Sequence, residues 1–309
     1  MNLKISLSPF GNAPNRDGSA PSDFVEVVHK AEAAKLDTIW LPERYSGSLE
    51  QSRPLTLAVA GALGSESINF ATGSLIAPYY EPEVVRDSIG HAKIYMGERL
   101  RLALGAGWDK SQFSRYSANF ENRYSRLERT FSDLRSQHDG APRSLMRTIS
   151  KSGEAWRDCG NLGLGVYCGA FGRSMNSLKK DVLRYRGALL NSPYTRQRGW
   201  VACMTHFYLD HSDEHAVSVY QARISPYILR HAKRSQGEDI QDVDSLVNSG
   251  TRRMVDEMGL IGSRETIMKR IAQYAEAGID ELVILTDYDD DVDHRRDQIE
   301  ALGKVSALV

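Results

Sequence analysis

Phe70-Ala71-Thr72-Gly73-Ser74-Leu75-Ile76-Ala77-Pro78, a helical run from Glu83 to Met96, then Leu100-Arg101-Leu102-Ala103-Leu104-Gly105-Ala106-Gly107-Trp108: this stretch decides the fold. Two short apolar strands each end in small residues, and one helix joins them. Strands linked in this way run parallel, with the helix as a crossover. Small residues at the carboxyl ends of such strands let a flat ligand lie against the backbone. In a barrel of alternating strands and helices that face carries the chemistry. A bound cofactor is therefore expected here.

Working outward, apolar runs predict strands at 3–8, 38–42, 68–77 and 100–105, with fainter ones at 145–150, 164–168, 201–209 and 281–286. Helical periodicity fills the gaps. Phe24, Val25, Val28, Ala31 and Ala34 mark one helix face after the cap candidates Ser22 and Asp23. Ile267, Ile271, Tyr274 and Ala275 mark another after Ser263, with Gly278 as its stop signal. About eight strand–helix units favour a closed (β/α)8 barrel of the α/β class over a doubly wound sheet. The charged segment from 210 to 260 reads as a helical insertion before the last βα unit. No interdomain linker is visible, so residues 1–309 read as one domain.

The chain has 309 residues, 41% hydrophobic and 26% charged, with a formal charge of -1. That charge predicts neither a nucleic-acid partner nor an acidic membrane surface. No apolar run approaches the roughly 20 residues of a membrane span, and the first ten residues do not make a secretory signal. Cys159, Cys168 and Cys203 are odd in number and lack paired metal spacing; buried thiols in a reducing cytoplasm are expected. The acidic run Asp287 to Asp293 departs from a calcium loop, with Val292 at the sixth position and Gln298 at the twelfth. It reads as a solvated loop before the last helix, and no metal site is expected.

Five constellations carry possible chemistry. Thr72-Gly73-Ser74 brings a hydroxyl and backbone groups to a strand end, as a ligand contact or as a bulge. Gly105-Ala106-Gly107-Trp108 offers close approach, with Trp108 covering a ring or filling the barrel mouth. Ser150-Lys151-Ser152-Gly153-Glu154 follows a strand and opens a helix. Its free N–H groups make an anion site or an ordinary cap. Glu43 and Arg44 follow the second strand, as an active-site pair or a rim salt bridge. His206 lies within a strand-like run, as a proton carrier or a packed histidine. No strand precedes a correctly spaced dinucleotide fingerprint.

Taken in order, these residues resemble the bacterial luciferase-like flavin monooxygenases, in particular the natural-product branch. The resemblance rests on Trp40-x-x-Glu43-Arg44, on Thr72 to Pro78 with Pro82-Glu83-Val84-Val85, and on Gly97-Glu98-Arg99-Leu100 with Ala103 to Trp108 and Phe113. Arg123, Arg126 and Glu128, then Ser150 to Glu154, then Gly262 to Ile267 with Ala277 to Leu282, continue it. It implies a luciferase-like TIM barrel binding FMN, taken up in reduced form from a separate flavin reductase. It further implies a homodimer and an O₂-dependent oxidation of a small or carrier-bound metabolite. By the same resemblance Thr72, Gly73 and Ser74 flank the flavin ring, with a non-proline cis peptide at or beside Gly73–Ser74. Gly105, Ala106, Gly107 and Trp108 would line the ring and ribityl chain, and Ser150, Ser152, Gly153 and Glu154 would surround the phosphate. The chain departs from the pattern at Arg44-Tyr45, where histidine and an aromatic are usual, and at Ala106, where an arginine is usual.

Arg44, Glu43 and His206 are therefore the catalytic candidates. Arg44 would hold an anionic substrate group or steady charge on the flavin, and His206 would move the proton. A deazaflavin-dependent oxidoreductase is the second reading; its longer anionic tail calls for more basic residues than the one Lys151. A non-catalytic flavin-binding protein is the third. Replacing Ser152 by Asp sets like charge against a phosphate, so FMN affinity should fall at least tenfold, about 1.4 kcal/mol. Fluorescence titration giving unchanged affinity would remove the phosphate from this turn.

Overall fold

Alternation along the strands separates two cores. The computed structural model describes residues 3–9, 22–43, 53–135, 143–150, 153–194, 198–236, 243–286 and 292–309. In chain order come β1 (Lys4–Ser8), α1 (Ser22–Ala33), β2 (Thr38–Leu41), α2 (Pro54–Leu63), β3 (Asn69–Ile76) and α3 (Pro82–Met96). They are followed by β4 (Leu100–Gly105), α4 (Lys110–Arg115), α5 (Arg123–Arg135), β5 (Leu145–Ile149), α6 (Glu154–Asn161), β6 (Gly165–Gly169) and α7 (Met175–Leu190). The last part holds β7 (Val201–Leu209), α8 (Asp213–Gln236), α9 (Val243–Arg253), a π-helical turn (Met254–Met258), β8 (Leu260–Gly262), α10 (Arg264–Glu276), β9 (Glu281–Leu285) and α11 (Val292–Ser306).

All pairings are parallel. The order β1-β2-β3-β4-β5-β6-β7-β9 closes on itself through β9–β1, an eight-stranded barrel as the sequence predicts. The insertion also stands, as α8, α9 and the π turn. A ninth strand is new: β8 pairs with the outer end of β7, Phe207 to Leu209, and does not enter the barrel. It is three residues long and gives no usable periodicity.

Inward-facing side chains form their own cluster: Trp40, Ala71, Ala103, Met146, Tyr167, Ala202 and Val283. Trp40 and Tyr167 stack with centroids 4.5 Å apart. Outward residues such as Ile39, Leu41, Phe70, Leu102 and Ile284 join the larger core under the helices. On α1 the buried set is Phe24, Val27, Val28 and Ala31, whereas Val25 is exposed. The face is thus turned toward Val27, at i, i+3, i+4 and i+7 spacing. Ser263 caps α10, and Gly278 follows it at φ +88°.

The barrel floor is polar. Glu281, fully buried, accepts from Ser6 Oγ (2.6 Å), Trp40 Nε1 (2.8 Å) and Trp200 Nε1 (3.0 Å), with Arg101 Nη1 at 3.8 Å. Arg101 also donates to Asp37 (2.6 Å) and Thr38 Oγ1 (2.5 Å), and Arg143 donates to Asp37 (2.5 Å) while covering the Trp200 ring. Burial pushes the Asp37 carboxyl up, but Arg101 and Arg143 outweigh it and hold the group at about 2, below its ordinary 3.8. A depressed carboxyl stabilises the fold above its unfolded pKa and loses that contribution as pH falls through the folded value. Asp37→Asn should therefore cost about 2 kcal/mol at neutral pH. The gap to wild type should close between about pH 4 and pH 2. A gap in urea-unfolding free energy that does not change with pH would contradict the ion-pair account.

Candidate active site

The mouth is built first by β3 and β4. The Gly73–Ser74 peptide is cis, where the resemblance places such a bond, and the pairing slips there: Gly73 faces Ala103 while Leu75 faces Leu104. Ser74 is the extra residue of this bulge and is partly exposed. Gly105 and Gly107 let the two strand ends approach. A Cβ on Gly105 would stand 2.8 Å from Ser74 Oγ, and one on Gly107, at φ +76°, 2.8 Å from Ile76 Cγ2. Gly73 serves the barrel interior as well, since a Cβ there would lie 3.1 Å from Trp40 Cε3 and 3.4 Å from the Tyr167 hydroxyl. The outcome is a shallow floor of small, partly exposed groups: Gly73, Ser74, Ala106 and Gly107. Trp108 stands at the rim, 54% exposed.

Thr72 lies beneath this floor. Its buried hydroxyl accepts from Ala103 N–H and donates to Ala103 C=O, both at 2.9 Å, so it staples β3 to β4. Glu43 is engaged in the same way. Its N–H donates to Ser74 C=O (3.0 Å), Oε2 accepts from Ile76 N–H (2.7 Å), and Oε1 accepts from the Tyr80 hydroxyl. Tyr80 accepts in turn from Arg53 Nη1 at 2.9 Å. Buried Glu43 thus fixes the end of β3 from the end of β2. Arg44, the other half of the pair read from the sequence, lies outside the described residues.

The second part of the mouth is formed by β7 and the insertion. Register aligns Ser8, Leu285 and His206 at one level. His206, 1% exposed, places Nδ1 2.6 Å from the Tyr220 hydroxyl, and its ring meets Phe171 edge-on. Tyr220 comes from α8, where Ala216, Tyr220, Ile224 and Ile228 are buried at a spacing of four. That spacing is visible in the sequence, but its partner is not. Beside it lies a cavity of about 70 Å³, lined in part by Phe171, Arg173, Arg253, Met254 and Met258.

The third part is the turn before α6. Ser150 is exposed at the end of β5, and Gly153 precedes the helix at φ +112° with nothing within 4 Å of its missing Cβ. Lys151 and Ser152 lie outside the described residues. Glu154 is exposed and paired with Arg157 at 2.8 Å. Gly153 N–H donates to buried Asp181 (3.3 Å), which holds Arg173 and Arg184, each at 2.8 Å. This two-arginine, one-carboxylate group carries net positive charge beside the helix start. It escaped the sequence reading because three separate positions make it up. A larger groove, about 390 Å³, opens among Lys4, Asp37, Asn69 and Val309 at the strand starts, the end of the barrel opposite the mouth.

A closed parallel barrel with an irregular small-residue mouth defines an α/β-barrel of the kind whose ligands bind at the strand carboxyl ends. Residues 1–132 match the luciferase-like monooxygenase family. That match covers less than half of the chain; the barrel fold it goes with extends over the whole length. It is similar to the FMN-bound oxygenating constituent of 3,6-diketocamphane monooxygenase from the CAM plasmid of Pseudomonas putida, a type II Baeyer-Villiger monooxygenase (17% identity, TM-score 0.77, covering 99% of this chain and 98% of that one). It is similar to monooxygenase RslO1 from Streptomyces bottropensis (13%, 0.77, 98% of both) and to an F420-dependent secondary alcohol dehydrogenase bound to an F420-acetone adduct (13%, 0.73, 99% of both). The uncharacterized protein y4vJ of Sinorhizobium fredii is 26% identical over 98 residues; that match covers 31% of this chain and 28% of the relative's length.

Glu43→Ala removes the acceptor of two bonds at the β3 end. It should cost about 1–2 kcal/mol of unfolding free energy, because a partly buried N–H loses its acceptor. A variant as stable as wild type would contradict this role in holding the β3 end.

Proposed function

We propose that this protein is a flavin-dependent monooxygenase that uses reduced FMN and O₂ to oxidise a small or carrier-bound organic substrate. A separate reductase would supply the reduced flavin, and the chain would act as a homodimer. The observation that carries the reading is the bare patch at Gly73, Ser74, Ala106 and Gly107, where a planar group can reach backbone and hydroxyl together. The turn at Ser150–Glu154, backed by Arg173 and Arg184, suits a phosphate. Among the described residues no helix is long and apolar enough to cross a membrane.

Bound reduced flavin would supply the electrons that activate O₂. The chain's own residues do the rest. Ser74 would offer a hydroxyl to the ring edge. Ile76, Phe171 and the Met254 and Met258 side chains would keep water from the reacting face. His206 would hold or release a proton, with Tyr220 fixing its ring through Nδ1. Arg173 and Arg253, beside the small cavity, would favour an anionic substrate group. The deazaflavin reading is kept because the F420-dependent neighbour has the same fold at similar TM-score. Titration with FMN and with F420 separates the two.

His206→Asn should slow substrate oxidation about 10²-fold or more, while FMN affinity stays within about twofold. The readout is stopped-flow absorbance after mixing the reduced holoenzyme with O₂ and substrate. Wild-type rates and product yield in this variant would reduce His206 to a packing residue.

A further inference from the structure

We infer that Asp210, His211 and His215 bind a divalent transition-metal ion of the zinc type at the root of the helical insertion. β7 ends at Leu209, and α8 begins at Asp213. Between them the chain turns so that one carboxylate faces two imidazoles. The three ligand atoms lie within 4.8 Å of one another. Asp210 Oδ2 is 2.8 Å from His215 Nδ1, Oδ1 bonds His211 Nδ1, and the two rings have centroids 5.0 Å apart.

Several constraints preform this turn. Asp210 N–H donates to Gly262 C=O (3.1 Å), and Ser212 Oγ accepts from His215 N–H (3.2 Å). Asp213 accepts from Ser263 N–H (2.6 Å) and from Thr266 Oγ1 (2.7 Å). The two ends of the insertion are thereby joined at this point. His211 lies in the bend before α8 and His215 in its first turn, and the bend brings the two rings together. The Asp210 side chain is 13% exposed and the two histidines 77% and 55%, so an ion has an open approach and room for water.

The donor set selects the ion. Two imidazole nitrogens and one carboxylate oxygen suit Zn²⁺, Co²⁺ or Ni²⁺ rather than Mg²⁺ or Ca²⁺, which prefer oxygen. Bonds of about 2.0–2.2 Å place tetrahedral ligands about 3.4 Å apart. The Asp–His contacts are shorter than this, so an ion entering the cluster takes the place of the hydrogen bond in each Asp–His pair. Water completes the shell. The bound ion would tie the end of β7 to the first turn of α8, the helix that presents Tyr220.

The test is calorimetric titration of the chelator-stripped full chain with Zn²⁺ alone, at a pH above the ordinary imidazole range. We expect one ion per chain. His211→Ala and His215→Ala should each lower affinity at least tenfold, and the double variant should lose binding. Co²⁺ should give visible absorption in wild type that the double variant lacks, and Zn²⁺ should raise the melting temperature of wild type only. Both histidines are exposed, so metal-free melting of the double variant should match wild type; Asp210→Asn serves as a second probe. Equal Zn²⁺ affinity in wild type and double variant, or no binding by wild type, overturns the proposal.

Discussion

The buried carboxylate of Glu281 is the constraint on which the rest of the barrel depends. An acidic group inside a closed barrel is costly unless its oxygens are satisfied. Here the donors come from β1, from β2 and from the start of β7, with the Arg101 guanidinium of β4 close by. One residue of β9 thus links its direct neighbours β1 and β7 with β2, one strand further round the barrel. It also positions Trp40, whose ring stacks on Tyr167 and fills the space beneath Gly73. With the floor pinned, the strand ends above it can depart from regular pairing.

The mouth divides its work among small and polar groups. Gly105 and Gly107 allow β3 and β4 to close, and Thr72 and Glu43 hold the irregular β3 end in place. Neither of these two polar residues has to touch a ligand to matter. The insertion contributes from the far side: α8 brings Tyr220 to His206, and the π turn brings Met254 and Met258 to the edge of a small cavity. The partner that fixes a buried histidine of β7 therefore comes from the segment with the least strand signal in the chain.

The barrel was legible because its strands are short apolar runs with small residues or turns after them. The insertion could be read from its charge and missing strand pattern. What escaped was whatever depends on partners distant in the chain. Glu281 reads as an ordinary charged residue at the start of a strand, and only closure puts it among Ser6, Trp40 and Trp200. Glu43 reads as half of an active-site pair or rim salt bridge and Thr72 as a ligand contact or bulge; their bonds to Ile76 and Ala103 depend on strands brought together by the fold. Val25 fits the apolar spacing of α1, but the helix packs through Val27. β8 is too short for any period, and Asp181 with its two arginines spans the β6–α7 connection and one helix.

The most direct test is a crystal structure of the protein soaked with FMN. The account predicts the flavin ring against Ser74 and Gly105 to Gly107, with its phosphate at the turn before α6 near Gly153. Density for FMN in the groove at the strand starts, around Lys4 and Asp37, would contradict it.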